Sequence, residues 1–246
     1  MKADYKTNQG AEFEDPRFLR LVDSRNRDLW DFLKESYRFE LEESPEPGFL
    51  TYFDGGTVII EVDVQEISPA AFTHELLHVF LKAKGIELVW DFKRLIEEDP
   101  ALRELFTTSL RVHIGNCLEH QKMLPLFLAR GFAREEFLRD YHRKLVKKSE
   151  IKYLLENYYI QGKVPLRSAD QFMGSYFAIK ASANPHFDYS ELAGSLQDLD
   201  PGLYSAIDNF WREWISFRIG DPKEKYREML VEFLSELKAW LRKFAE

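Results

Sequence analysis

Cysteine is almost missing from this 246-residue chain, in which Cys117 stands alone. A single thiol excludes an intramolecular disulfide, and with it the stapled folds of small secreted proteins, and it suits a reducing compartment. Long apolar runs are missing as well. No stretch approaches the roughly 20 apolar residues that a membrane-spanning helix needs. Residues 1–14 are polar and mixed in charge, without the apolar core of a secretory signal. These absences lead to the expectation of a cytoplasmic protein with no membrane partner. An excess of positive charge is also lacking. The 34 Lys and Arg against 42 Asp and Glu leave a net charge of −8, which argues against nucleic acid or an anionic membrane as partner. The one basic cluster, Arg143, Lys144, Lys147 and Lys148, reads as a solvated helix face. Internal repeats and low-complexity segments are absent too, and the apolar and charged fractions are those of an ordinary globular protein with a sizeable core.

What is present is one compact motif. His74-Glu75-Leu76-Leu77-His78 reads H-E-x-x-H inside an amphipathic helical pattern. Residues four apart on a helix lie on one face, so His74 and His78 can aim two imidazole nitrogens at a single metal ion. Glu75 is rotated about a third of a turn away, where it can take a proton from a water at that metal. The surroundings agree. Ser68-Pro69 is a helix start, and Gly85 a stop, with Lys82 and Lys84 in the last turn. Upstream, residues 49–53 and 57–64 are β-rich runs joined by Asp54-Gly55-Gly56, a hairpin leading into the metal helix. An edge strand in that place can hold an extended peptide by backbone hydrogen bonds.

A catalytic zinc usually has three protein ligands and a water, so a third ligand is needed. The candidates lie in Val112-His113-Ile114-Gly115-Asn116-Cys117-Leu118-Glu119-His120-Gln121, inside a long helical pattern over residues 100–130. Glu119 shares a face with Val112, Gly115, Met123 and Leu126. A carboxylate aimed at apolar neighbours is costly unless it is paired or bound to metal. Gly115, one turn earlier, leaves room for another helix to approach. Asn116 is placed to hydrogen-bond Glu119 or a ligating histidine from behind. His120 shares a more polar face with His113 and Asn116. On these grounds Glu119 is the favoured third ligand, with His120 the alternative and His113 an ordinary half-buried histidine. Cys117 points elsewhere and reads as a packed thiol.

With His74, Glu75 and His78, and with Glu119 in Asn116-x-x-Glu119-His120, the chain resembles the zincin superfamily of metallopeptidases. Within it the likeness is to the gluzincin-like branch, whose third ligand is a glutamate on a later helix, and it covers residues 49–130. The resemblance implies a Zn2+ ion with a bound water, Glu75 as general base, peptide-bond hydrolysis of a protein or peptide substrate, and a short sheet packed on the metal helix with a helical part closing the cleft. There are departures. No third histidine follows at the short, glycine-containing spacing of the metzincins, and there is no Asn-Glu-x-x-x-Asp segment. Small bacterial zincins that cleave regulatory proteins offer a looser likeness. Sites of this kind often add a side chain that stabilises the oxyanion. The candidates are His113, His120, Tyr176 and Tyr159.

The expected fold class is α+β and mostly helical: a small hairpin or sheet packed on the H-E-x-x-H helix, with additional C-terminal helices. The expected organisation is a flexible tail over 1–15, a zincin-like catalytic domain over 16–158 and a helical C-terminal region over 159–246 packed on it. Helical patterns are read over 15–43 with a break near 23–24, over 133–158, 168–181, 201–219 and 222–244, and residues 87–98 as a short helix or a rim loop. Two other functions remain open from the sequence. One is a catalytically inactive zincin-like domain that acts as a protein-binding module. The other is a metal-dependent hydrolase of something other than a peptide.

Overall fold

A computed structural model describes residue 16 and residues 18–243. The tail expected over 1–15 lies outside the described residues. Among those described, ten α-helices and three strands form a mostly helical α+β fold. No described helix is long and apolar enough to cross a bilayer.

The sheet is the smaller part. β1 (Arg38–Glu43) pairs parallel with β3 (Thr57–Val62), and β2 (Leu50–Asp54) pairs antiparallel with β3, giving the order β1-β3-β2. The β2–β3 turn uses Gly55 and Gly56 at φ of 53° and 94°, the left-handed region where a side chain is strained. β1 corrects the helical reading of residues 15–43. That segment contains a 3-10 turn (Phe18–Leu21), α1 (Arg27–Lys34) and then a strand. Glu and Leu favour helix locally, but Phe39 and Leu41 alternate with charged neighbours. Phe39 is buried beside Trp30, with ring centroids 4.7 Å apart. Pairing with β3 and burial of one face outweigh the propensity.

α2 (Pro69–Ala83) carries the motif. Ser68 Oγ accepts from the Ala71 N–H at 3.2 Å, Pro69 occupies the first turn, and Gly85 leaves the helix at φ 79°, all as the sequence implies. The start of α2 is tied to the preceding chain by Asn26, fully buried, whose Nδ2 donates to Leu21 O and to Thr73 Oγ1, one residue before His74.

The long helix expected over 100–130 is two helices. α4 (Pro100–Leu105) is capped by Asp99, and α5 (Thr108–Ala129) by Thr107, whose Oγ1 accepts from the Leu110 N–H. Between α2 and α4, α3 (Leu88–Ile96) packs on α5. The close approach is at Gly115, where an added Cβ would stand 2.6 Å from Val89 Cγ2. Overpacking a stiff β-branched neighbour costs about 1–3 kcal/mol, against about 1 kcal/mol of helix propensity gained by replacing glycine. Gly115→Ala is therefore expected to lose about 1 kcal/mol, lowering the melting temperature by about 2–4 °C. An unchanged or raised melting temperature would mean that α3 can step aside.

The stretch read as helical over 133–158 is mostly irregular. It holds a turn at Arg134–Glu136 and then α6 (Lys148–Asn157), so Arg143, Lys144 and Lys147 are exposed but not on a helix face. α7 (Leu166–Lys180), α8 (Ser190–Leu199), α9 (Pro201–Ser216) and α10 (Lys223–Arg242) complete the chain, with α8 unforeseen. These helices buttress α5. α7 packs directly on it, and Trp214 Nε1 of α9 donates to Leu118 O at 2.9 Å. Lys122 of α5 donates in turn to the carbonyls of Trp214 and Phe217, the last acceptors at the end of α9. Phe210 and Phe233 stack at 4.2 Å between α9 and α10. One hydrophobic core runs from Phe18 to Trp240 across the boundary expected at residue 158.

Candidate metal centre

α2 and α5 lie against each other, and their facing sides bring three imidazoles together. His74, His78 and His120 each offer a ligand nitrogen, and the three atoms lie within 4.8 Å of one another. The ring centroids form a near-equilateral triangle: 5.0 Å for His74–His78, 4.9 Å for His74–His120 and 5.4 Å for His78–His120. The Nε2 atoms of His78 and His74 are 3.2 Å apart. Two nitrogens bound at 2.0–2.1 Å to a tetrahedral ion are roughly 3.3 Å apart, so this pair already has the spacing of one edge of such a site. The three residues are half-buried.

Glu119, the favoured third ligand, is not among the three residues whose ligand atoms converge. Glu119 Oε2 sits 2.7 Å from His78 Nδ1, the nitrogen on the far side of the ring from His74. An ionised carboxylate only accepts, so Nδ1 carries the proton and Nε2 keeps its lone pair for the cluster. Glu119 thus fixes the tautomer and the ring orientation of His78, and His120, one residue along the helix, supplies the third nitrogen. The requirement that Glu119 be paired holds; its partner is an imidazole and not the cluster centre. Asn116, on the same face as His120 but one turn earlier, is exposed and makes no hydrogen bond to Glu119 or to the histidines.

The electrostatics suit metal binding. Burial, reinforced by the neighbouring His120 and His78, holds His74 well below the usual histidine range. Burial, with His78 and His113 nearby, lowers His120 to about 3. Both rings are neutral near pH 7, the form that ligates. Burial also works to lower His78, but the hydrogen bond and charge of Glu119 and the charge of Glu75 outweigh it and leave His78 raised. Glu75 is buried, with 9% of its surface exposed. Burial raises its pKa, opposed by the His78 charge and by Thr51 on β2. A carboxylate so placed is a stronger base than one in water.

Phe137 is the neighbour that the sequence did not announce. Its ring lies 4.8 Å from His74 and 5.5 Å from His120, walling one side of the cluster. It comes from the irregular segment misread as helix, and no local pattern distinguishes it from other aromatics. The oxyanion candidates are dispersed. His113 Nε2 donates to Gly174 O on α7 at 3.0 Å, Tyr176 is buried with its hydroxyl on Asp208 at 2.6 Å, and Tyr159 is half exposed beside Leu199. Of that group only His120 is at the cluster. Cys117 is buried and its thiol is pushed up to about 12 by burial, which fits a packed side chain.

Compared with known proteins, the chain matches no family model, no curated protein and no solved structure.

Proposed function

We propose that this protein is a zinc-dependent peptidase whose metal is held by His74, His78 and His120, with Glu75 as general base. The observation that carries this reading is the convergence of three imidazole nitrogens on a point beside a buried glutamate, with the third histidine arriving from a separate helix. Three neutral imidazoles suit zinc, and a three-ligand protein set leaves a coordination position free for chemistry. When bound, zinc supplies a Lewis acid that acidifies water and polarises a carbonyl group. Glu75 receives the proton of the attacking water and returns it to the departing amine. Glu119 keeps the Nδ1 proton of His78 in place throughout. Phe137 limits solvent on one flank. β2 supports a peptide as substrate: it is an edge strand beside α2, with Thr51 next to Glu75, and one rail of its backbone groups lacks a partner strand among the described residues.

The test is metal content with rescue of activity. Purified protein is expected to hold one zinc per chain by elemental analysis, to cleave a peptide mixture, to stop after chelation and to resume with added zinc. Protein that binds no zinc from a buffered supply sinks the reading. The pH dependence of binding is a second expected outcome. Protons compete for Nε2 of His78, whose pKa is raised, so zinc affinity falls with acidification and begins to fall above the ordinary histidine pKa. Competition titrations with a chelator across a pH series measure this. An affinity flat through that range contradicts the role given to His78.

A further inference from the structure

We infer that a second cavity, two helical turns from His120, receives an arginine side chain of the substrate; this rests on the peptidase reading for its purpose. The cavity is about 350 Å³ and lies between the first half of α5, the face of α7 and residues 145–150. His113, which lines it, is seven residues before His120, so both rise from one face of α5 about 10.5 Å apart. An extended peptide advances roughly 3.3–3.6 Å per residue, which puts the cavity about three residues from the bond to be cut. The chain also connects the two places: Phe137 stands against His74 and His120, and the same segment continues to Leu145 and Val146 in the cavity wall.

The chemistry of the lining identifies the occupant. Leu110, Leu145, Val146 and Ala178 form apolar walls, suited to a methylene stem. The polar end carries two carboxylates and an amide oxygen, and the hydroxyls of Ser109 and Ser175 there can accept as well as donate. Asp170 Oδ2 is used by the Thr107 hydroxyl and Glu150 Oε2 by the Lys147 N–H, which leaves one oxygen of each carboxylate. The amide of Gln171 donates to Glu150 O, leaving its own oxygen open. His113 spends its Nε2 proton on Gly174 O, so that donor is not free for the cavity. No lysine or arginine lines the cavity, and neither Glu150 nor Asp170 belongs to an ion pair among the described residues. Unused acceptors around two carboxylates call for a group that only donates. A planar guanidinium, with five N–H donors, meets that demand better than an ammonium. The net charge of −8 favours the approach of a cationic peptide.

The experiment uses capped octapeptides carrying one arginine at successive positions, with citrulline or glutamate in matched sets. Citrulline keeps the shape and loses the charge. Binding is read by fluorescence anisotropy on full-length Glu75→Gln protein supplied with zinc, and cleavage is read separately on the wild type. At one position arginine is expected to bind about tenfold more tightly than citrulline, the effect of one charge-assisted hydrogen bond. In an Asp170→Asn, Glu150→Gln double variant the arginine peptide should fall to the citrulline level. Gln171→Lys, which provides an internal ammonium, should abolish the preference independently. Equal affinity of arginine and citrulline peptides at every position overturns the inference, as does a preference that survives both variants. Arginine peptides bound tightly but never cut would retire the peptidase reading and keep the cavity's role. Cleavage indifferent to arginine would do the reverse.

Discussion

Glu75→Gln should retain zinc and lose hydrolysis. Gln has nearly the same shape and fills the same buried space behind β2, so the three imidazoles keep their positions and metal content should stay at the wild-type level. What disappears is the basic oxygen. General-base catalysis contributes about 10²–10⁴-fold, and kcat is expected to fall within or beyond that range with little change in KM, because the proton transfer belongs to the transition state. Burial strengthens the expectation. The pKa of Glu75 is raised, which brings a carboxylate nearer to the basicity of a useful proton acceptor at neutral pH. Paired measurements of zinc content and steady-state rates on one peptide check this. Wild-type turnover in a zinc-replete Glu75→Gln protein would remove the general-base assignment while leaving the metal centre intact.

His120→Ala and Glu119→Gln should then separate two neighbours by the size of their effects on metal. Four-ligand zinc sites bind with about 10–16 kcal/mol, roughly 2.5–4 kcal/mol for each ligand. Loss of His120 should therefore weaken zinc binding by about 10²–10³-fold and abolish activity at ordinary zinc levels. Glu119→Gln keeps an oxygen that can accept from His78 Nδ1–H but loses the charge. Changes to such supporting groups cost about 10–100-fold in metal affinity or activity, and this variant should sit at the low end. The ordering is the prediction. If Glu119→Gln proved the more damaging and His120→Ala nearly silent, the carboxylate would be the ligand after all and the three-histidine geometry would be wrong. Competition with a chromophoric chelator measures both variants over the needed range.

Particular residues show how much was legible. α2 could be read almost to its ends, because each signal there is local. Ser68 caps, Pro69 starts, the histidines repeat at four residues and Gly85 stops. The hairpin was equally local, since two adjacent strands need only the Gly55-Gly56 turn. β1 was not, because its strand character comes from pairing with β3 nineteen positions on and from the packing of Phe39 against Trp30. The division of the long helix at Thr107 was also missed, although the capping residue is visible in the sequence, since apolar spacing continues across the break.

The choice between Glu119 and His120 turned on a relation that no single helix contains. Helical periodicity established that the two residues point about 100° apart, and the cost of burying a carboxylate established that Glu119 needs a partner. Both statements hold in the fold. Which of the two reaches the cluster depends on how α5 is rotated and set against α2, and that is decided by contacts far from the site: Val89 against Gly115, Trp214 beneath Leu118, Lys122 closing the end of α9. The amino-acid sequence alone determined that two imidazoles and a carboxylate share one helix in a form suited to metal chemistry, because a regular helix converts spacing directly into direction. Tertiary structure alone decided the third nitrogen, the orienting role of Glu119 and the presence of Phe137, because the distance between two helices is set by the sum of packing over the whole core and not by any residue pattern along the chain.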